Sequence, residues 1–317
     1  MRLARPGATR TPVANTDWHS GGMRPSEQDP LLILAMDHRE SFGKSLFGVV
    51  DDAPTPAQRS AMQRAKLLTY QGLRQAAADL PGGRPAVLVD ERYGQAVIEA
   101  ARRDGITLAV PVERSGRQEF QREYGADWLV HVQGSGAAYA KVLVRDNPGF
   151  DAALRRRQLD ALREVSQGLA AAGIPMLYEL LVPPLPKQKT EAYDGEVRPA
   201  LVTQVIADNQ DAGVEPALWK VEGLESADAA RAVVAQARTG GREHVGLVVL
   251  GRDAPVERLT HWLQVAAPVE GFVGFAIGRS IWEDALAAHT DDKETVEAIS
   301  REYLRYARTY LDARVSD

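Results

Sequence analysis

The chain has 317 residues, 44% of them hydrophobic, with a formal net charge of −5 and a pI near 5.8, so it fits one large α/β barrel or two medium domains and has no basic nucleic-acid surface. It contains no cysteine, which excludes disulfides, thiolate zinc sites and cysteine nucleophiles. Because it also lacks a membrane-length apolar run and a secretory signal, we expect a cytoplasmic protein without membrane or nucleic-acid partners.

The N-terminal residues differ in composition from the rest of the chain. Residues 1–30 are rich in Arg, Pro, Gly, Thr and Ser and show no apolar period. Such a segment cannot bury enough apolar surface to fold, so we predict a disordered leader over 1–30. Met23 is an alternative start that would remove most of it. Residues 31–317 are predicted to form a single domain.

Eight apolar runs alternate with helical patterns from residue 31 onward. The runs are 31–36, 85–89, 107–112, 140–144, 174–182, 217–223, 245–250 and 271–277. Helical periodicity is present in 55–79, 93–103, 118–124, 151–172, 199–212, 227–237, 256–266, 281–288 and 294–311, while 128–132 is read as an extended piece. The runs are continuous rather than alternating, which is typical of parallel strands covered on both faces. We therefore predict a (β/α)8 TIM barrel; a doubly wound open sheet is the alternative.

The sixth run, Ala217-Leu218-Trp219-Lys220-Val221-Glu222-Gly223, has a lysine in its middle. A lysine in a buried strand must pair, reach a surface or lose its proton. Lys220 can pair with Glu222, which lies two residues on and on the same strand face. Alternatively, as a neutral amine it can attack a carbonyl and form a Schiff base.

Polar residues stand at or near the end of every predicted strand. In strand order they are Asp37, His38 and Arg39; Asp90; Glu113; Lys141 and Arg145; Glu179; Lys220 and Glu222; Arg252; and Arg279. TIM barrels place the active site at this end, so these groups are expected to converge. Glu179 and Lys220 lie inside apolar runs on neighbouring strands, and buried charges are usually paired, so each is the other's expected partner.

The last two strand ends are near-twins, Leu250-Gly251-Arg252 and Ile277-Gly278-Arg279. Glycine lets backbone N–H groups approach an anion, and arginine binds phosphate bidentately. TIM barrels often hold phosphate in these two loops, so we predict a phosphate site; two solvated turns are the alternative.

Two further features leave alternatives open. Asp37, Asp90, Glu179 and Glu222 are oxygen ligands that could hold Mg²⁺, although Lys220 would sit awkwardly among them, and we predict no metal and no cofactor. The long polar segment 183–195 resembles a lid. Its Lys187 and Lys189 either attract an anion or are solvated surface.

Five stretches together resemble one family, the class I aldolase-like domain fused behind the sugar kinase in 5-dehydro-2-deoxygluconokinase proteins of myo-inositol catabolism. More distantly the chain is similar to tagatose-1,6-bisphosphate aldolase. The stretches are Leu34-Ala35-Met36-Asp37-His38-Arg39, Lys141-Val142-Leu143-Val144-Arg145, Glu179-Leu180-Leu181-Val182-Pro183, Trp219-Lys220-Val221-Glu222-Gly223 and Gly274-Phe275-Ala276-Ile277-Gly278-Arg279. The resemblance runs from about Leu31 to the C-terminus.

The resemblance implies a Schiff-base aldolase that needs no metal. Its implied substrate is 2-deoxy-5-keto-gluconate 6-phosphate, which yields dihydroxyacetone phosphate and malonate semialdehyde. Lys220 matches the Schiff-base lysine of the tagatose enzyme, Glu179 its acid/base carboxylate and Asp37 its strand-one aspartate. This chain has Asp-His-Arg where that enzyme has Asp-Gln-Arg, so the role of His38 is open. The predicted substrate- and phosphate-binding residues are Asp90, His38, Arg39, Lys141, Arg145, Gly251, Arg252, Gly278 and Arg279.

Other functions remain open from the sequence. They are an aldolase for another phospho- or sulfo-ketose, a metal-dependent lyase or epimerase on the same barrel, and a non-catalytic sugar-phosphate sensor. The expected partner is a phosphorylated sugar, and a homo-oligomer is compatible with the chain.

Overall fold

A closed barrel of eight parallel strands forms the centre of the computed structural model, which describes residues 24–288 and 291–315. The strands are β1 Leu31–Ala35, β2 Arg84–Leu88, β3 Thr107–Pro111, β4 Tyr139–Arg145, β5 Met176–Leu181, β6 Leu218–Glu222, β7 Gly246–Leu250 and β8 Phe272–Ile277. Neighbours in sequence are neighbours in the sheet, and β8 pairs with β1. The predicted (β/α)8 barrel is confirmed, and the open-sheet alternative is wrong because pairing of β8 with β1 closes the sheet.

Helices surround the barrel and connect its strands. They are α1 Glu40–Phe47, α2 Pro56–Ala77, α3 Glu91–Asp104, α4 Trp128–Ser135, α5 Ala152–Ala171, α6 Arg198–Asp211, α7 Ala227–Ala237, α8 Val256–Ala266, α9 Arg279–Ala288 and α10 Asp292–Val315. Apolar side chains fill two layers, one inside the barrel and a larger one between the sheet and the helices. The strands are continuous apolar runs because both of their faces are buried.

Closure of the barrel depends on a glycine in β8. Gly274 has a φ of +141°, and a β-carbon at this position would collide with the backbone oxygen of Leu31 on β1. Only a residue without a side chain lets the two backbones come this close. The register of β7 against β8 also shifts between Leu247 and Val249.

Residues 24–30 contact the barrel at the amino ends of its strands. The carboxylate of Glu27 accepts a hydrogen bond of 2.9 Å from the Gly271 amide, and Asp29 forms an ion pair with Arg84. Pro30 is buried. The packed region therefore begins earlier than the predicted boundary at residue 30, and residues 1–23 of the predicted leader lie outside the described part of the chain.

Two local predictions between the strands are wrong, and one helix is missing from the predictions. Residues 118–124 have helical composition but form no helix, because their backbone bonds other segments: the Phe120 amide donates to Gln158 and the Glu123 amide to Val112, over 3.0 and 2.9 Å. Residues 128–132 belong to α4, where Trp128 and Val132 are buried one helical turn apart. Helix α1 was not predicted.

Candidate active site

A polar cavity of about 410 Å³ opens at the carboxyl ends of the strands. We call it the upper cavity. Eleven of the twelve predicted site residues line it: Asp37, His38, Arg39, Lys141, Arg145, Glu179, Lys220, Gly251, Arg252, Gly278 and Arg279. The strand ends thus converge as the barrel geometry predicted.

Lys220 and Glu179 lie side by side on adjacent strands. They are register partners in the β5–β6 pair, and the Lys220 Nζ is 3.1 Å from the Glu179 Oε2. Both are buried, with Lys220 only 2% exposed. The pairing of Lys220 with Glu222 is therefore wrong: Glu222 instead contacts Arg252 at 2.7 Å and accepts a hydrogen bond from the Val182 amide.

A second lysine, Lys141, stands at the centre of three carboxylates. Its Nζ is 2.7 Å from Asp37, 2.9 Å from Glu113 and 2.9 Å from the same Glu179 oxygen that contacts Lys220. Burial disfavours the ammonium, but the three carboxylates outweigh it and raise the pKa of Lys141 above its usual range. Lys141 is therefore a permanent cation, whereas Lys220 faces a single carboxylate that it shares.

The carboxylates of this cluster are not equivalent. Burial by itself would raise the pKa values of Asp37 and Glu179, but Lys141 and neighbouring cations outweigh burial and lower both pKa values. Both carboxylates are therefore ionised at neutral pH. Burial dominates at Glu113 and raises its pKa despite Lys141 and Arg39. Arg39 holds Glu113 in place by donating to its backbone oxygen over 2.7 Å.

His38 lines the upper cavity beside this cluster and carries no charge at neutral pH. Burial lowers its pKa to about 4, and the opposing attraction of Asp37 does not offset this. The ring packs edge-on against Trp282 with centroids 5.5 Å apart, and its Nδ1 has no hydrogen-bond partner among the described residues.

The two arginines predicted to bind phosphate both face the cavity, and both have carboxylate partners. The Arg252 Nε contacts Glu222 at 2.7 Å, a second nitrogen lies 3.3 Å from Asp194, and Arg279 pairs with Asp253. Asp194 belongs to the long segment after β5, whose Lys187 and Lys189 are exposed and do not line the cavity.

Of the two glycines before these arginines, only Gly278 is at a position where a side chain would collide with its neighbours. A β-carbon on Gly278 would lie 2.7 Å from the Ala35 oxygen and 3.0 Å from the His38 ring, so the turn excludes a side chain. A β-carbon on Gly251 would make ordinary contacts. Helix α9 begins directly after Gly278, so its N-terminal amides stand at the cavity wall, where a helix favours an anion.

Asp90 is the one predicted site residue that does not line the upper cavity. Its carboxylate pairs with the buried Lys66, and its other oxygen caps α3 by accepting a 2.8 Å hydrogen bond from the Tyr93 amide. Lys66 also donates to the His38 backbone oxygen over 3.0 Å. Asp90 thus supports the turn after β1 through Lys66. Its sequence position directly after β2 is compatible with this structural role and with substrate binding alike.

We expect Asp90→Asn to destabilise the protein by about 3–5 kcal/mol, because it leaves the Lys66 ammonium buried without a counter-charge. The amide oxygen still caps α3, so loss of the cap contributes little. Urea unfolding measures the effect. The matched control is the Asp90→Asn/Lys66→Met double variant, which should recover much of the loss; a single variant as stable as the wild type would contradict the assignment.

Several cavity residues were not among the predicted site residues. Glu113 stands at the end of a predicted strand, but its burial next to Lys141 could not be read from the sequence. Others come from loops, from helix α1 or from the start of α9: Glu40, Ser41, Lys44, Arg114, Ser115, Gly116, Arg117, Glu119, Asp253 and Ser280. The Ser-Gly-Arg run at 115–117 resembles the predicted glycine–arginine turns and is a local signal that could have indicated that part of the cavity wall.

The four carboxylates considered as Mg²⁺ ligands are each paired with a cationic side chain. Asp37 and Glu179 contact Lys141, Asp90 contacts Lys66 and Glu222 contacts Arg252. Over residues 24–288 and 291–315, no group of three or more His, Cys, Asp or Glu side chains is placed to hold a metal ion.

In the same ranges, none of the helices has the length and apolar character needed to cross a membrane.

Two solved structures have folds similar to that of this chain. Fructose-bisphosphate aldolase from Plasmodium falciparum, solved in complex with TRAP and a small-molecule inhibitor, is similar over 89% of each chain with a TM-score of 0.61 and 13% identity. Cgl0159 from Corynebacterium glutamicum is similar over 88% of this chain and 86% of its own, with a TM-score of 0.54 and 18% identity. No curated protein sequence matches the chain significantly.

The chain is thus a (β/α)8 barrel with a fold similar to that of the fructose-bisphosphate aldolase, and it has a lysine–carboxylate cluster at the carboxyl ends of its strands. It belongs to the family described as "Uncharacterized protein conserved in bacteria (DUF2090)", whose model matches residues 6–314.

Proposed function

We propose that the protein is a Schiff-base aldolase, a carbon–carbon lyase that cleaves a phosphorylated keto sugar or keto sugar acid. One observation carries the proposal: two buried lysines share a single Glu179 oxygen at the carboxyl end of a closed barrel, at 2.9 and 3.1 Å. One lysine is fixed as a cation by three carboxylates, which leaves the other as the candidate nucleophile.

In the proposed reaction, Lys220 transfers a proton to Glu179 and its amine attacks the ketone carbon. The carbinolamine loses its hydroxyl as water, with the proton supplied by Glu179, and a protonated imine forms. Glu179, ionised again, takes the proton of the substrate hydroxyl on the carbon that becomes the aldehyde. The carbon–carbon bond next to that carbon breaks at the same time. The bonding electrons pass into the imine to give an enamine, so the aldehyde product leaves without needing a metal. Protonation and hydrolysis of the enamine then restore Lys220.

Lys141 and Asp37 would support this step without exchanging protons. The fixed positive charge of Lys141, 2.9 Å from Glu179, favours the ionised form of Glu179 once its proton has passed to the carbinolamine, the stage at which Glu179 acts as a base. Asp37, ionised and 2.7 Å from Lys141, would orient substrate hydroxyl groups. Preorganised charges of this kind stabilise a transition state without moving during the reaction.

The substrate phosphate would bind between the β7 and β8 ends. Arg252, Arg279 and the first amides of α9 all line this side of the upper cavity. Each arginine already carries a carboxylate, so phosphate would have to displace or join Asp194 and Asp253. The resemblance favours 2-deoxy-5-keto-gluconate 6-phosphate as substrate, within myo-inositol catabolism; another phospho- or sulfo-ketose is the alternative.

Borohydride trapping tests the proposal. The full chain is incubated with dihydroxyacetone phosphate and reduced, and the adduct is located by intact and peptide mass. We expect a stable adduct on Lys220, because reduction fixes the imine. Controls are the sample without borohydride and the Lys220→Met variant, both of which should remain unmodified.

Absence of an adduct in folded, phosphate-binding protein would refute the Schiff-base mechanism. Chelation by EDTA then separates the remaining barrel functions, because a metal-dependent lyase loses turnover with EDTA whereas a sugar-phosphate sensor shows binding and no turnover.

A further inference from the structure

The half-buried His38, which follows β1 and lines the upper cavity, has no task in the proposed reaction. Its ring makes no hydrogen bond or ion pair with any residue that the structure describes. The Nδ1 atom is enclosed without a partner, whereas Nε2 is not enclosed, so Nε2 is the ring nitrogen that is open to the cavity. A ligand in the upper cavity therefore meets a free imidazole nitrogen.

Packing holds the imidazole in place without using its nitrogens. The ring lies edge-on to Trp282 with centroids 5.5 Å apart, and a β-carbon on Gly278 would come within 3.0 Å of its Cε1. The backbone oxygen of His38 accepts a 3.0 Å hydrogen bond from the buried Lys66. Because its neighbours already fix the side chain, little further ordering is needed on binding, and Nε2 is preorganised for a ligand.

The imidazole is neutral at neutral pH, which restricts the groups that it can recognise. Burial lowers its pKa to about 4, as described above. A neutral imidazole nitrogen offers one hydrogen bond and no charge, so it adds little to the binding of a phosphate that two arginines face. A hydroxyl group can both donate and accept, and it therefore matches Nε2 in either tautomer.

His38 stands between the lysine–carboxylate cluster and the turn at the end of β8. Its neighbour Asp37 belongs to the cluster through Lys141 at 2.7 Å, and its ring approaches Gly278 in the turn. In the proposed reaction the ketone half of the substrate spans this interval, with its carbonyl at Lys220 and its phosphate at the turn. The free nitrogen of His38 thus faces the ketone half.

The ketone half of the proposed substrate, which leaves as dihydroxyacetone phosphate, has three polar groups. Lys220 takes the carbonyl and the arginines take the phosphate, which leaves the hydroxyl on the carbon next to the carbonyl. We propose that His38 determines specificity by forming a hydrogen bond through Nε2 with this hydroxyl. The inference rests on the proposed function, from which it takes the ketone half. A site built to bond a substrate hydroxyl rejects the analogue without it, because a polar group is then left unpaired.

Isothermal titration of the full chain compares dihydroxyacetone phosphate with hydroxyacetone phosphate, which differs only in lacking this hydroxyl. We expect the wild type to bind dihydroxyacetone phosphate at least about tenfold more tightly, which is the effect of one hydrogen bond to a site that otherwise stays unpaired. Equal affinities for the two ligands in the wild type would overturn the proposal.

Two substitutions of His38 locate the contact. His38→Phe and His38→Leu keep an apolar side chain against Trp282 but have no hydrogen-bonding atom, so both should bind the two ligands equally, by losing affinity for dihydroxyacetone phosphate alone. His38→Gln carries a donor and an acceptor and should recover part of the preference. Thermal unfolding identifies the folded variants. A wild-type preference in folded His38→Phe or His38→Leu would overturn the proposal.

The matched control is His261→Phe, the same change at an exposed residue outside the upper cavity, which should keep the wild-type preference. Borohydride reduction of the same samples separates the two proposals. A preference that disappears in His38→Phe, without any adduct on Lys220, would refute the aldolase reaction and support the hydroxyl contact. An adduct on Lys220 together with equal affinities for the two ligands would support the aldolase reaction and overturn the role of His38.

Discussion

Replacing Lys220 by methionine should abolish turnover, with a loss of at least about a thousandfold in kcat, while the protein stays folded. Methionine keeps the length and apolar stem of the side chain but cannot attack a carbonyl. Glu179 retains Lys141 at 2.9 Å, so the substitution leaves no carboxylate without a cation. Steady-state assays on purified protein, with thermal unfolding measured in parallel, check both parts of the expectation.

The matched control for Lys220→Met is Lys189→Met, which makes the same chemical change on an exposed segment. Its kcat should equal that of the wild type. Turnover that persists in Lys220→Met would rule out Lys220 as the nucleophile. A collapse of its stability would instead assign Lys220 a structural role.

Replacing Lys141 by methionine should have the opposite signature, a large loss of stability. Three carboxylates lie within 2.9 Å of its Nζ, and the substitution removes their shared cation. Breaking a buried ion pair by removing one partner typically costs about 3–5 kcal/mol, because uncompensated charge is left in the interior. Urea unfolding at neutral pH measures the difference between Lys141→Met and the wild type.

The stability deficit of Lys141→Met should depend on pH. In the wild type the raised pKa of Lys141 gives stability that is fully present below the unfolded value of about 10.4 and is lost only when pH rises through the folded value. The lowered pKa values of Asp37 and Glu179 give stability that is present above about 4 and is lost as pH falls. In the variant these carboxylates take up protons more readily, so the deficit should shrink from pH 8 to pH 5.

A second substitution tests the origin of this deficit. The Lys141→Met/Glu113→Gln double variant should be more stable than Lys141→Met, because one of the crowded carboxylates is replaced by a neutral amide. A deficit that is equal at pH 5 and pH 8, or that the second substitution deepens, would mean that Lys141 stabilises the barrel by packing rather than by charge.

Local sequence was a poor guide where backbone bonding is decided by distant segments. Residues 118–124 have strong helix formers, but their amides bond Gln158 and Val112, and no local preference anticipates those partners. Residues 128–132 look like a strand because they are short and apolar, yet they pack as one turn of α4. Short apolar runs are compatible with either period.

The same limit applies to the candidate site. That Lys220 lies in a buried strand next to Glu179 followed from the apolar runs around each residue, because parallel strands consecutive in sequence are usually neighbours. The sequence could not decide between Glu179 and Glu222 as its partner, because Glu222 lies on the same strand face as Lys220 but is bound by Arg252 from the end of β7 at 2.7 Å. For Asp90, the sequence predicted the position at a strand end correctly but not the partner. Its carboxylate pairs with Lys66 on α2 and does not line the upper cavity.

The sequence by itself determined the eight strand–helix units, the barrel class and the end of the barrel at which the charged residues gather, because these depend on hydrophobic period and chain order. The tertiary structure alone decided how the charges are matched. Lys141 meets Asp37 across 104 residues of chain and Glu113 across 28. Such pairings follow from barrel closure and side-chain packing, which bring distant strands to distances of a few ångströms that no local pattern records.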